Sequence, residues 1–324
     1  MAGYGSGLGS GSMAASPVGP AESVGLVVDR PDDGHDERTL NLIAGQRDQD
    51  ESQPEAPACD SPEELVGMFT EEKPTFVRVS EPGAPMDCVW EGASDHIGPT
   101  ETVTPLVDRL SGTTTCAQIA LCAGVLLWGT WRLRGLTQVE HNLELAEAAF
   151  AYCVDWRYVD VDAGPKGRAP HQPPEQSAMM QLNRFMRAAL DHDRFWDSFF
   201  QPVFETFHSA NIVHHILEPQ DRPGFDRWLD QAAERIKLHF PKPADKYREY
   251  ETFDSDEAYN QFVAPHRGIA VPAQLLNPDF DFEPQQRKKL MAEFLAGLNP
   301  DKNRYLRKPE AMLELGFAGT PYQY

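Results

Sequence analysis

The chain has 324 residues, 41% of them hydrophobic, with six Trp and 17 Phe, enough to build a substantial core. Its formal net charge is −21, from 29 Lys+Arg against 50 Asp+Glu, which opposes binding to nucleic acid or to an anionic membrane surface. The acidity is concentrated: residues 1–100 hold 5 Lys+Arg and 19 Asp+Glu, net −14, leaving 24 and 31, net −7, for residues 101–324.

The opening "MAGYGSGLGSGSM" has neither the basic n-region nor the apolar h-region of a secretory signal and reads as a flexible linker. Residues 1–72 as a whole are poor in aromatics and rich in negative charge, the composition of a disordered acidic arm. Two apolar islands interrupt it. Leu40, Leu42 and Ile43 lie in "TLNLIAG"; Leu65, Met68 and Phe69 lie in "SPEELVGMF", where Ser61 and Pro62 read as a helix start. Both islands are expected to dock, on the folded body or as anchors for a protein partner. Residues 73–100 form a connecting segment of Pro- and Gly-interrupted runs, predicting one or two short strands or an extended wrap.

Residues 101–324 predict a mainly α domain, a bundle of about six to eight helices with a few short extended segments. The first long helix runs from Thr114 through Leu133. Ser111–Trp131 is uncharged over 21 residues, but its densest apolar part is Ile119–Trp128, well short of the roughly 20 residues a membrane span wants. A buried core helix is therefore expected there. The next helix, Thr137 to Trp156, would start on a capping box made by Thr137 and Glu140, and the short connection makes the two an antiparallel pair.

After a Gly- and Pro-rich loop at Gly164–Pro174, a helix is expected over Pro174–Asp191. Another covers Asp193–Leu217, kinked or restarted at Pro202 because proline clashes with the preceding turn. Six of the 15 residues in "DRFWDSFFQPVFETF", Asp193–Phe207, are Phe or Trp, which suggests the central helix of the bundle. Pro223 opens a helix to Phe240. Residues 241–284 read as an irregular segment laid across the bundle, followed by helices at Pro284–Ala296 and Pro309–Leu315. The final Tyr322 and Tyr324 stand on a Gly/Pro tail and are expected to dock, on this chain or on a partner.

The most chemical-looking stretch is "HSANIVHHILEP". On a helix His208 and His215 share a face but stand about 10.5 Å apart along the axis, too far to bind one ion together. His214 is turned by about 100° from His215, toward the apolar side. Glu205 and His208 do form Glu-x-x-His, a spacing used by metal sites in helical bundles. A degenerate site would add Glu144 and Glu147, with Glu140 and His141 nearby, and would take Fe, Mn or Zn.

Asp160 and Asp162 have a spacing that can hold a divalent cation with a phosphate, and Lys166, Arg168 and His171 in the adjoining loop can meet an anion. A polar connection is the plainer reading of both. Cys59, Cys88, Cys116, Cys122 and Cys153 are odd in number and show no C-x-x-C spacing, which suggests reduced thiols in a cytosol-like compartment. No G-x-S-x-G, Walker A, G-x-G-x-x-G or H-E-x-x-H sequence is found.

Two functions follow from these features, with membrane attachment through Ser111–Trp131 as a third, which fractionation would test. The preferred one is a non-enzymatic cytoplasmic interaction protein, an adaptor or accessory subunit, whose acidic arm meets a basic protein surface while an apolar island anchors it. The other is a metal-dependent helical enzyme centred on Glu205 and His208 with Glu144 and Glu147.

Overall fold

The computed structural model describes Phe69, residues 72–88, Trp90 and residues 104–165, 172–195, 202–244 and 252–324. These residues are mainly helical. In chain order the helices are α1 (Thr104–Leu110), α2 (Thr115–Leu133), α3 (Glu140–Tyr152), α4 (Pro174–Phe195), α5 (Val203–Ile216), α6 (Arg222–His239), α7 (Asp256–Arg267), α8 (Arg287–Ala296) and α9 (Pro309–Glu314). Among the described residues β pairing is confined to isolated bridges, such as Val159 with Leu306. The acidic arm, apart from Phe69 and Glu72, lies outside the described residues.

Helix α2 is the axis of the fold. It packs on α3, α4, α5 and α6, and every residue from Cys116 to Leu133 is buried. Small residues make this all-round burial possible. A Cβ on Gly124 would stand 2.7 Å from Leu276 Cδ1, and one on Gly129 2.5 Å from Leu182 Cδ1, so larger side chains would drive neighbouring helices away. Residues 196–201 of the aromatic run Asp193–Phe207, expected to form the central helix, lie outside the described residues; the part that follows opens α5, which packs on α2. Helix α2 is long and apolar enough to cross a membrane, with mean hydropathy 1.3, yet that window is wholly buried inside the protein.

The turn after α2 moves the next helix start. Leu136 and Thr137 both donate their amides to the Leu133 carbonyl, and Gly135 takes φ +95°, a conformation that glycine adopts without strain. Thr137 is thereby held in the turn, and α3 begins at Glu140 after Val139, with no side-chain cap. The predicted capping box does not form. Pro202 restarts the chain as expected, standing at the N-cap of α5.

A second correction concerns residues 241–284, which contain α7. Ser255 caps it by accepting from the Ala258 amide at 3.2 Å, Asp256 and Glu257 occupy the first turn, and Gly268 follows the last residue at φ +78°. These are ordinary start and stop signals. They lie in Pro- and Asp-rich sequence that reads as irregular, and the helix also contains Pro265.

Residues 72–88 form a non-helical wrap, broken by turns, that belongs to the same core. Phe76, Val77 and Val79 are buried, and Phe76 stacks on Trp228 with ring centroids 5.4 Å apart. Arg132, fully buried near the end of α2, fixes this wrap. Its guanidinium donates to the Ala84 and Pro85 carbonyls and pairs with Glu218 at 2.6 Å. One buried cation thus joins the wrap, α2 and the turn that follows α5.

Candidate functional site

A group of buried polar side chains lies between α3, α4 and the segment around Asn303–Arg307. Asn142, Glu144 and Glu147 of α3, Asn183 of α4, and Asn303 are all nearly inaccessible to solvent. A buried polar group needs partners, and here they are supplied reciprocally. Asn303 Nδ2 donates to the Glu144 carbonyl at 2.8 Å and to Glu147 Oε2 at 2.9 Å. Arg304 Nε donates to Glu144 Oε2 at 2.6 Å, and its other nitrogens reach Glu144 Oε1 and His141 Nε2. Asn183 Nδ2 donates to Asn142 Oδ1 and to the Tyr305 hydroxyl.

The electrostatics of this seam favour uncharged groups beside one ion pair. Burial, followed by the nearby Arg304 guanidinium, pushes the His141 pKa below its ordinary value. Burial also raises that of the Tyr305 hydroxyl, against the bond from Asn183. Glu144 and Glu147, two of the predicted metal ligands, are therefore engaged with Arg304 and Asn303.

Glu205 and His208 lie elsewhere, on α5. Glu205 is buried near Cys122 of α2, whose thiol is pushed up to about 12 by burial first and by the Glu205 charge second. The His208 ring stacks on Phe185, centroids 5.2 Å apart, with Phe207 edge-on at 4.9 Å. Among the described residues no three His, Cys, Asp or Glu side chains are grouped so as to hold a metal ion. The four residues of the Fe, Mn or Zn reading are thus not brought together into such a group.

The other two histidines of "HSANIVHHILEP" have separate surroundings. His214 stands 3.5 Å from Asp226, and His215 tilts against Trp90 at 6.4 Å. Asp160 and Asp162 are not paired into a cation site either. Asp160 accepts from the Asp162 amide and lies 3.8 Å from Arg307, while Asp162 lies 3.5 Å from Arg187. Lys166, Arg168 and His171 lie outside the described residues. Asp230 and Glu234, beside a shallow open groove reaching Pro278, pair with Arg109 of α1.

The proposed partner-binding residues divide in the same way. Leu40, Leu42, Ile43, Leu65 and Met68 lie outside the described residues. Phe69 is 3% exposed and packs on Phe150 of α3 at 5.7 Å, so its role as a partner anchor is corrected: its ring is covered by this chain's own core. Tyr322 packs on Tyr158 at 4.9 Å and donates its hydroxyl to the Arg307 carbonyl. Tyr324 bonds Arg287, whose guanidinium also covers its ring at 5.4 Å. Both C-terminal tyrosines therefore dock in cis.

Sequence reading missed Arg132, Asn303 and Arg304 as organising residues. A lone arginine in an otherwise uncharged helix was the available signal for Arg132. For Asn303 and Arg304 there was none, because their partners lie some 160 positions earlier in the chain. Comparison with family models, with curated proteins and with solved structures gives no match for this chain.

Proposed function

We propose that this protein is a non-enzymatic cytoplasmic adaptor or accessory subunit, whose acidic N-terminal segment recruits a protein with a basic surface. The observation that carries this reading is the charge distribution about Phe69. Residues 1–68 contain 13 Asp+Glu against 3 Lys+Arg, net −10, and they enter the folded body at a ring buried against Phe150. A fixed root followed by a strongly charged segment is suited to electrostatic capture, which speeds encounter and selects partners by charge. Leu40, Leu42 and Ile43, with Leu65 and Met68, supply apolar contacts that charge alone lacks.

A separate observation favours a non-catalytic body. Glu144 and Glu147, two of the carboxylates that looked like chemistry, bind Arg304 and Asn303 across the seam, and such pairs hold the fold together. The reading is tested with the full-length chain and its Leu40→Ser/Leu42→Ser/Ile43→Ser variant, each recovered from cells with whatever protein accompanies it. A stoichiometric basic partner is expected with the parent, at least tenfold reduced with the variant and weakened as NaCl rises from 50 to 300 mM. Equal recovery with both chains, independent of salt, would contradict the proposal.

A further inference from the structure

Residues 287–308 invert the charge of the chain. They carry seven Lys+Arg against Glu293 and Asp301, net +5, where the whole chain is −21. Arg304 and Arg307 face Glu144 and Asp160 within the fold, but Lys288, Lys289 and Lys302 stand at exposed positions. Among the described residues no carboxylate pairs with Lys288 or Lys302, and Lys289 has Glu293 at 3.7 Å one helical turn away, an exposed contact of little strength.

Helix α8, which carries Lys288 and Lys289, is linked to the root of the acidic segment by ring contacts. Phe69 packs on Phe150, and Phe150 packs on Phe294 of α8 with centroids 6.1 Å apart. Immediately before that root, Asp48–Glu64 contains seven carboxylates and no Lys or Arg. The five steps from Glu64 to Phe69 span about 17 Å when extended, and the ten residues of α8 are about 15 Å long. The tether is thus about as long as α8, and the acidic run beyond it, about 54 Å when extended, has the length to follow that helix from end to end.

We propose that Asp48–Glu64 docks in cis on the basic face formed by α8 and residues 297–308. The contact is a latch of dispersed charges, which salt weakens because exposed charges are screened within about 10 Å at 0.1 M. Its regulatory meaning rests on the function proposed above: a basic partner must displace Lys288, Lys289 and Lys302 from the same carboxylates, so docking in cis raises the threshold for capture.

The test uses full-length protein and two readouts. A zero-length carbodiimide reaction at 50 mM NaCl, followed by peptide mapping of the monomer fraction, is expected to join carboxylates of Asp48–Glu64 to Lys288, Lys289 or Lys302. These couplings should exceed those to the exposed Lys237 of α6 by at least fivefold and fall by at least threefold at 500 mM NaCl. In parallel, a Glu-specific protease should cut Glu51, Glu55, Glu63 and Glu64 at least threefold faster in a Lys288→Glu/Lys289→Glu/Lys302→Glu chain than in the parent at equal salt.

Couplings spread evenly over lysines including Lys237, or equal cleavage of the two chains, would overturn the latch. The partner-recovery experiment is separate from both readouts. A latch without a partner would contradict the adaptor reading and leave the cis contact standing, and a partner without a latch would do the reverse.

Discussion

Helices α2 and α3 are both almost wholly buried, yet by opposite chemistry. Over most of its length helix α2 is buried by having little to satisfy: its apolar residues let α4, α5 and α6 approach, and Gly124 and Gly129 mark the tightest points. Arg132 near its end is the charged exception, answered by Glu218. Helix α3 is buried while carrying Asn142, Glu144 and Glu147, and so it depends on Asn303, Arg304 and Asn183 to complete its hydrogen bonds. The comparison teaches that buried carboxylates and amides on a helix, which invite a catalytic reading, are here the means by which a distant segment is held in register.

The largest expected effects come from α2. Trp128→Ala empties a fully buried site where the indole meets Phe225 and Trp228, and is expected to destabilise the body by about 3–5 kcal/mol in chemical denaturation. A change below about 1 kcal/mol would mean that the packing around α2 is loose. Glu218→Ala should approach the same size, about 3–5 kcal/mol, because it leaves the Arg132 guanidinium buried without its counter-ion. Amide exchange should also accelerate in residues 76–85, which Arg132 holds; unchanged exchange there would separate the wrap from this ion pair.

The polar seam gives smaller effects. Asn303→Ala deprives Glu147 of a donor and the Tyr305 amide of its acceptor, for an expected loss of about 1–3 kcal/mol. The sharper readout is local. Amide exchange should rise in α3 and in residues 299–307 and stay unchanged in α2, and a uniform rise across all helices would contradict a separable seam.

Smaller still is the pH response. Because His141 is depressed below its ordinary value of about 6.5, its contribution is fully present above that value and is lost as pH falls toward the lower folded-state value. Exchange in α3 should accelerate as pH drops from 7 toward 5, after correction for intrinsic rates, and His141→Gln should flatten the response. Thiol chemistry gives a last check. Burial raises both Cys88 and Cys122, but Cys88 is partly exposed whereas Cys122 is fully buried with its thiol pushed up to about 12. Iodoacetamide at pH 8 is expected to modify native Cys88 well before Cys122, as followed by peptide mapping; equal rates would mean that α2 opens readily.

How much of this was legible in the sequence depends on the range of the interaction. Helix α2 was readable because its burial follows from its own composition, and α6 and α9 because Pro223 and Pro309 announce their starts. The start of α3 was misread since Thr137 takes part in the turn made by Leu133 and Gly135, a local competition that the capping pattern does not reveal. Helix α7 carried Ser255, Asp256, Glu257 and Gly268 in plain view, but it is short and set in Pro- and Asp-rich sequence that reads as irregular. The engagement of Glu144 and Glu147 was not readable at all, because it depends on side chains that only the folded chain brings near.

With the carboxylates of α3 occupied across the seam, the proposed activity rests on the acidic segment, and Phe69 shows where to divide the chain. Deleting residues 1–68 leaves the buried Phe69 ring in place, whereas a cut after residue 72 would remove it and confuse lost binding with lost packing. The deciding measurement is quantitative mass spectrometry of proteins recovered from cells with full-length chain and with the chain beginning at Phe69, after amide exchange has shown that α2 and α3 are equally protected in both. The account predicts a stoichiometric partner with a basic surface that accompanies the full-length chain and is lost from the shortened one. Retention of that partner by the shortened chain would contradict it and transfer the interaction to the helical body.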